Sequence, residues 1–229
     1  MHVVFSGTDG SGKSTQIKLL KKAFVKNKVH ILWSRGGYTP IFKYTKKILR
    51  GFHRIFITND KDADLERDNA VRSIVNSKRS KLLNNKFVAK TWLSISVIDL
   101  ILYYGLYIRA LKLLGHVVIS DRYIYDTYLD FQYNFKNHFN PKSFLWKFLE
   151  KVTPEPDLSL LLYVSPKISL ERAVLKRDPY PDSSEKLTWR FEQYMHASCF
   201  VTANYFKINC DNKIGDVHQK ILSHLKRAK

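Results

Sequence analysis

Gly7-Thr8-Asp9-Gly10-Ser11-Gly12-Lys13-Ser14 carries the spacing G-x-x-x-x-G-K-[ST], which is suited to holding phosphate. Glycines let successive backbone N–H groups curl around phosphate oxygens without Cβ clashes. A helix that follows turns its N-terminal dipole toward the anion. Lys13 would reach the β- and γ-phosphates of a nucleoside triphosphate, and the Ser14 hydroxyl would help hold Mg²⁺. The expected nucleotide-binding set is therefore Gly7, Thr8, Asp9, Gly10, Ser11, Gly12, Lys13, Ser14 and Thr15, with ATP and Mg²⁺ as cofactors. Asp9 is extra to the motif. Phosphate repels a carboxylate there unless it turns toward a second substrate or the metal, or bonds loop amides. Both readings stay open.

Three further constellations lie downstream. Val117-Val118-Ile119-Ser120 runs into Asp121-Arg122-Tyr123, an apolar strand ending on an acid and an arginine. Ligands of open α/β sheets bind at that strand edge. Asp121 would orient Mg²⁺ through water, and Arg122 would hold an acceptor phosphate with its planar fork of donors. The competing reading makes Asp121 a helix N-cap with a surface ion pair. In Trp33-Ser34-Arg35-Gly36-Gly37-Tyr38, Arg35 would clamp an anion and Tyr38 would stack on a base. A plain glycine turn is the alternative. In Leu170 to Asp178, Arg172 and Lys176 share one helical face, with Arg177 nearby. On a closing lid over 166–182 these cations would neutralise charge on a transferred phosphoryl group and exclude water. On an ordinary helix they would only be solvated.

The elements that must position these groups alternate. Apolar runs at His2 to Ser6, His30 to Ser34, His116 to Ser120, Leu158 to Val164 and Tyr205 to Asn209 read as strands. Helical patterns cover Lys13 to Lys26, Trp92 to Leu114, Tyr123 to His138, Ser143 to Val152, Pro166 to Arg177, Ser183 to Cys199 and Lys213 to Arg227. That alternation predicts an α/β fold with a parallel sheet covered by helices. A single domain over 1–229 is expected, interrupted by the polar, charged stretch 58–90, which reads as a mobile insertion or a loosely packed helix. Trp92 to Ile108 is almost continuously apolar, but Asp99 at its centre is costly in hydrocarbon, so a sheet-covering helix is expected rather than a membrane span.

The chain has 229 residues, 45% of them hydrophobic, enough for one sizeable core. Its two cysteines, Cys199 and Cys210, form no metal-ligand pattern, and strand-like sequence begins directly after Met1-His2. A reducing, cytoplasmic setting is the expectation. The net charge of +19 would attract anionic partners or simply form a solvated, repulsion-tolerant surface, and both readings stay open. No aromatic-basic interleaving of the RNA-binding type is present, so no specific nucleic-acid partner is expected.

These features, in this order, resemble the thymidylate kinase family. The resemblance runs through FSGTDGSGKSTQ, SRGGY, VVISDRY, PEPDLSLLLYVSPKISLERAVLKR and YFKINC with its closing helix, most of the chain outside 58–90. It implies a P-loop kinase fold, a three-layer sandwich with a five-stranded parallel sheet and a helical lid. It also implies transfer of the γ-phosphoryl of ATP to a small nucleotide acceptor, dTMP. By position, Lys13, Arg122, Arg172 and Arg177 would form the catalytic set, and Ser14 and Asp121 would attend the metal. Asp9, Arg35, Tyr38, Arg122 and Tyr123 would bind the acceptor, Asp9 facing its sugar. Gly10 stands where some members place an arginine, so the lid arginines would supply that charge. Three departures stand out, one being that the family's serine- and glutamine-bearing segment after DRY is here Ile124 to Phe131. The family's TREPGG is here SRGGY, and the helix position that commonly reads thymine with an arginine falls, by spacing, on Leu100. A homodimer is compatible with this reading. A kinase for a nucleoside or another small metabolite remains open. So does an ATP-binding accessory protein acting on nucleic acid or an anionic surface.

Overall fold

The computed structural model describes residues 1–24, 27–34, 85–176, 182–196 and 205–228. Five strands, β1 (His2–Gly7), β2 (Val29–Trp33), β3 (Val117–Asp121), β4 (Leu158–Tyr163) and β5 (Phe206–Asn209), form an all-parallel sheet ordered β2-β3-β1-β4-β5. Each lies within one residue of its expected bounds, because strands buried on both faces read as continuous apolar runs. Seven helices connect them among the described residues: α1 (Lys13–Ala23), α2 (Lys86–Leu113), α3 (Ile124–Asn134), α4 (Phe144–Val152), α5 (Pro166–Leu175), α6 (Ser184–Met195) and α7 (Ile214–Arg227).

One sheet face is covered by α1 and α7, whose Ile17, Leu20, Val217, Ile221 and Leu225 pack with Val3, Phe5, Ile119, Leu160 and Leu162. The other is covered by α2, with Leu93, Val97, Leu100, Tyr104 and Ile108 against Val4, Leu32 and Val118. Trp146 and Leu149 of α4 close that layer. The stretch Ile101–Ile108 is π-helical. A Cβ on its Gly105 would lie 3.2 Å from Val152 Cγ2, so the bare backbone lets α4 approach closely.

The charged excursion expected from sequence overlaps a helix at its C-terminal end. Lys86 to Lys90, assigned to it, are the first residues of α2, because the Asn85 side chain caps the helix by accepting from the Phe87 N–H at 3.0 Å and the Val88 N–H at 3.4 Å. The remainder of that stretch, 58–84, lies outside the described residues. α2 has the length and mean hydropathy, 1.5, to cross a bilayer, yet half of that window is buried in the core just described.

Candidate active site

β1 delivers the phosphate loop. At Gly7 φ is 131°, and a Cβ would lie 1.8 Å from the Leu162 carbonyl oxygen of β4, so only glycine fits. Gly10 and Gly12 also hold positive φ, 74° and 83°. Thr8 pins the loop to β4. Its N–H donates to Leu162 O at 3.1 Å, and its Oγ1 accepts from the Val164 N–H at 3.0 Å. Lys13 Nζ lies buried inside the loop, donating to Gly7 O at 3.0 Å and Thr8 O at 2.7 Å. Burial first, then the neighbouring Arg122 charge, lower its pKa to about 8.

The end of β3 meets this loop. Ser14 Oγ donates to Asp121 Oδ2 at 3.5 Å, which puts a hydroxyl and a carboxylate side by side next to the loop. Burial raises the Asp121 pKa, against the opposing pull of Lys13 and Arg122. Two hard oxygens beside a phosphate cradle suit Mg²⁺, which takes one or two protein oxygens and completes its shell with phosphate and water. Asp121 does not cap α3: the Tyr123 N–H at that helix start donates instead to Asp126 Oδ2 at 2.9 Å.

Arg122 is the one non-glycine residue with positive φ, 75°, among the described residues. Its N–H donates to Phe5 O at 2.8 Å, and its carbonyl accepts from Ser34 Oγ at 3.2 Å, so β1 and the residue that follows β2 hold the strained backbone. Its buried guanidinium donates to Asp9 Oδ1 and stands 3.5 Å from Asp126 Oδ1. Burial would lower the Arg122 pKa, but Asp9, Tyr194, Asp126 and Asp130 together hold it well above the usual value. Asp126 also accepts from Ser6 Oγ at 2.6 Å and Tyr194 OH at 2.7 Å. Arg190 of α6 completes the cluster, paired with Asp9 Oδ2 at 3.3 Å, with Asp130, and with Asp182 Oδ2 at 3.4 Å. The glycine loop and the ion cluster thus meet at the C-terminal edge of β1 and β3.

A sequence model of the thymidylate kinase family matches residues 37–221, most of the chain. A thymidylate kinase of Neorickettsia sennetsu is 30% identical over 179 residues, covering 78% of this chain and 73% of that protein. One of Leptospira borgpetersenii serovar Hardjo-bovis is 27% identical over 177 residues, 77% and 69% of the two chains. This chain belongs to the thymidylate kinase family.

The thymidylate kinase resemblance assigned residues that the structure places unevenly. Lys13, Ser14, Asp9, Asp121 and Arg122 come together as described. The Asp9 carboxylate pairs with Arg122 and Arg190, a partnership neither reading of the sequence contained. Arg35, Tyr38 and Arg177 lie outside the described residues. Tyr123, expected at the acceptor, is instead a core residue: its ring lies between His2 and Tyr104, and its OH donates to Pro154 O at 2.8 Å. The residue after a strained strand end is turned inward to open α3. Arg172, expected on a lid, donates to Gly10 O at 2.9 Å and Cys210 O at 3.0 Å, bracing the loop against the end of β5. α5 follows β4 directly, so this face of it lies against the loop, where Ser169 Oγ also donates to Asp9 O at 2.7 Å. Leu100, expected at the base-reading position, is fully buried against the sheet. Asp126, Asp130 and Arg190 were missed. Asp126 and Asp130 stand four apart on α3, a readable helical spacing that follows Arg122, whereas no local signal marks Arg190.

Proposed function

We propose that this chain transfers the γ-phosphoryl of ATP to a nucleoside monophosphate, dTMP in the first instance. The observation that carries the reading is the meeting of Lys13, Ser14–Asp121 and Asp9–Arg122 at one sheet edge, in a chain of the thymidylate kinase family. A phosphate oxygen of dTMP attacks the γ-phosphorus in line; the new P–O bond forms as the bond to the β–γ bridging oxygen breaks, giving dTDP and ADP.

In this reading the loop amides and Lys13 hold the β- and γ-phosphates, and Lys13 stays cationic because the phosphates offset the burial that lowers its pKa. Ser14 and Asp121 hold Mg²⁺, which when bound neutralises charge on the phosphoryl oxygens. Arg122 and Asp9, already oriented toward one another, receive the acceptor's phosphate and sugar, so ordering costs less at binding. Arg35, Tyr38 and Arg177 are assigned to acceptor and transferred phosphoryl by resemblance alone. The test is ADP formation from Mg·ATP with dTMP, other nucleoside monophosphates and nucleosides, with Lys13→Ala as control. Preference for dTMP supports the reading. Turnover with another acceptor reassigns the pocket, and no acceptor-dependent ADP overturns it.

For assembly, a second copy covers the outer face of α2 in this proposal. Ile98, Leu102 and Leu106 are exposed at i, i+4, i+8, an uncharged stripe on a strongly basic chain whose copies otherwise repel. Light scattering of the purified chain should give a dimer that Leu106→Arg dissociates, and a monomeric wild type removes this part.

A further inference from the structure

The guanidinium of Arg190 has no role in the reading above, yet it lies at the centre of the ion cluster with its side chain only 2% exposed. It enters from α6 and meets carboxylates from three other places: Asp9 in the phosphate loop, Asp130 on α3, and Asp182 ahead of its own helix. Asp182 is already paired with Lys186 at 2.6 Å. A cation needed only to neutralise the buried Asp130 would require no contact with the loop. Arg190 instead reaches the most open carboxylate of the group: the Asp9 side chain is 38% exposed, against 6% for Asp130 and 1% for Asp126.

The two oxygens of Asp9 are divided between two arginines, Oδ1 to Arg122 and Oδ2 to Arg190. Phosphates bound in the same loop would repel this carboxylate, and a single cation on one oxygen leaves it free to pivot. We propose that Arg190 is a positioning residue of the acceptor site: by holding Asp9 Oδ2 it orients the Asp9 carboxylate, and through it the Arg122 guanidinium. The role rests on the kinase reading above, in which Asp9 and Arg122 receive the acceptor. α6 is well placed to deliver it. Its start is capped by Ser183 Oγ, and its Tyr194 OH reaches Asp126 at 2.7 Å, so Arg190 sits on an element already tied to the site.

Arg190→Ala alone would take away a buried charge partner of Asp130 and destabilise the chain for an unrelated reason. The informative variant is Arg190→Met with Asp130→Leu, which removes both buried charges and keeps volume. It should melt within a few degrees of wild type, raise KM for dTMP about tenfold, and leave KM for ATP within about twofold. If this double variant does not fold, Arg190→Lys serves alone: its single ammonium can neutralise Asp130 but cannot span both carboxylates, and the same KM split is expected. A folded variant with wild-type KM for dTMP overturns the proposal. A second readout needs no substrate. Hydrogen exchange at the Arg122 guanidinium, followed by NMR, should accelerate about tenfold in the variant, and unchanged protection overturns the proposal whatever the acceptor. Absence of dTMP turnover in the wild type would instead count against the kinase reading, leaving the exchange result to judge Arg190.

Discussion

The phosphate loop and the ion cluster beside it lie next to one another and are built in opposite ways. The loop is eight consecutive residues whose backbone is set by glycines at positive φ, with Lys13 as its one cation. The cluster is made of side chains alone, drawn from residues as far apart in sequence as Asp9 and Arg190, 181 positions. A loop of dipoles tolerates most side-chain changes and fails where backbone or lysine is touched. A cluster of buried charges has no such tolerance, because each ion is compensated by its neighbours and removing one strands another.

If the two regions are separable, Lys13→Ala should reduce transfer roughly 10³-fold while leaving dTMP affinity, by calorimetry, within about twofold. Equal loss of dTMP binding would show one joint site rather than two. The reciprocal change is Asp126→Asn, which removes the charge facing Arg122 and weakens the bonds from Ser6, Tyr194 and the Tyr123 amide. It should cost about 3 kcal/mol in urea unfolding and weaken dTMP binding more than ATP binding. A change below about 0.5 kcal/mol would mean the cluster is not the unit described.

A pH series sharpens the comparison, because Arg122 is among the causes of the lowered Lys13 pKa and so links the two regions. In the free protein kcat/KM for ATP should fall about tenfold per pH unit above about 8, and Arg122→Leu should move that limb upward. The sign for stability follows. The folded-state pKa of Lys13, about 8, lies below the unfolded value of 10.5, so the folded chain releases this proton first. Its contribution to stability is therefore least below pH 8 and grows as pH rises from 8 to 10.5, which melting of the wild type against Lys13→Met would reveal. The smallest effect is expected at Ser34→Ala, which removes bonds to Tyr104 OH at 2.7 Å and to the Arg122 carbonyl. About 1 kcal/mol should be lost, with kcat lowered more than KM for ATP.

The same contrast explains what was legible. The five strands and the loop were readable because buried parallel strands and glycine-dependent turns are local patterns. The start of α2 was misplaced because Lys86 to Lys90 looks like charged surface until Asn85 is recognised as a cap. Counting along α2 put Leu100 in the acceptor pocket. The helix rotates it into the sheet, and the π-helical stretch that follows it further breaks the simple 3.6 period.

Taken alone, the sequence determined the parallel sheet, through apolar runs alternating with amphipathic ones, and the glycine loop and the acidic-basic strand end, each encoded within a dozen residues. Only the tertiary structure decided that Tyr123 belongs to the core, that Arg172 braces the loop, and that Asp9 is shared between Arg122 and Arg190. Ion pairs between distant segments leave no period in a sequence. They form because chain packing removes water from several charges at once, and only the folded arrangement says which opposite charge is near enough to compensate each one.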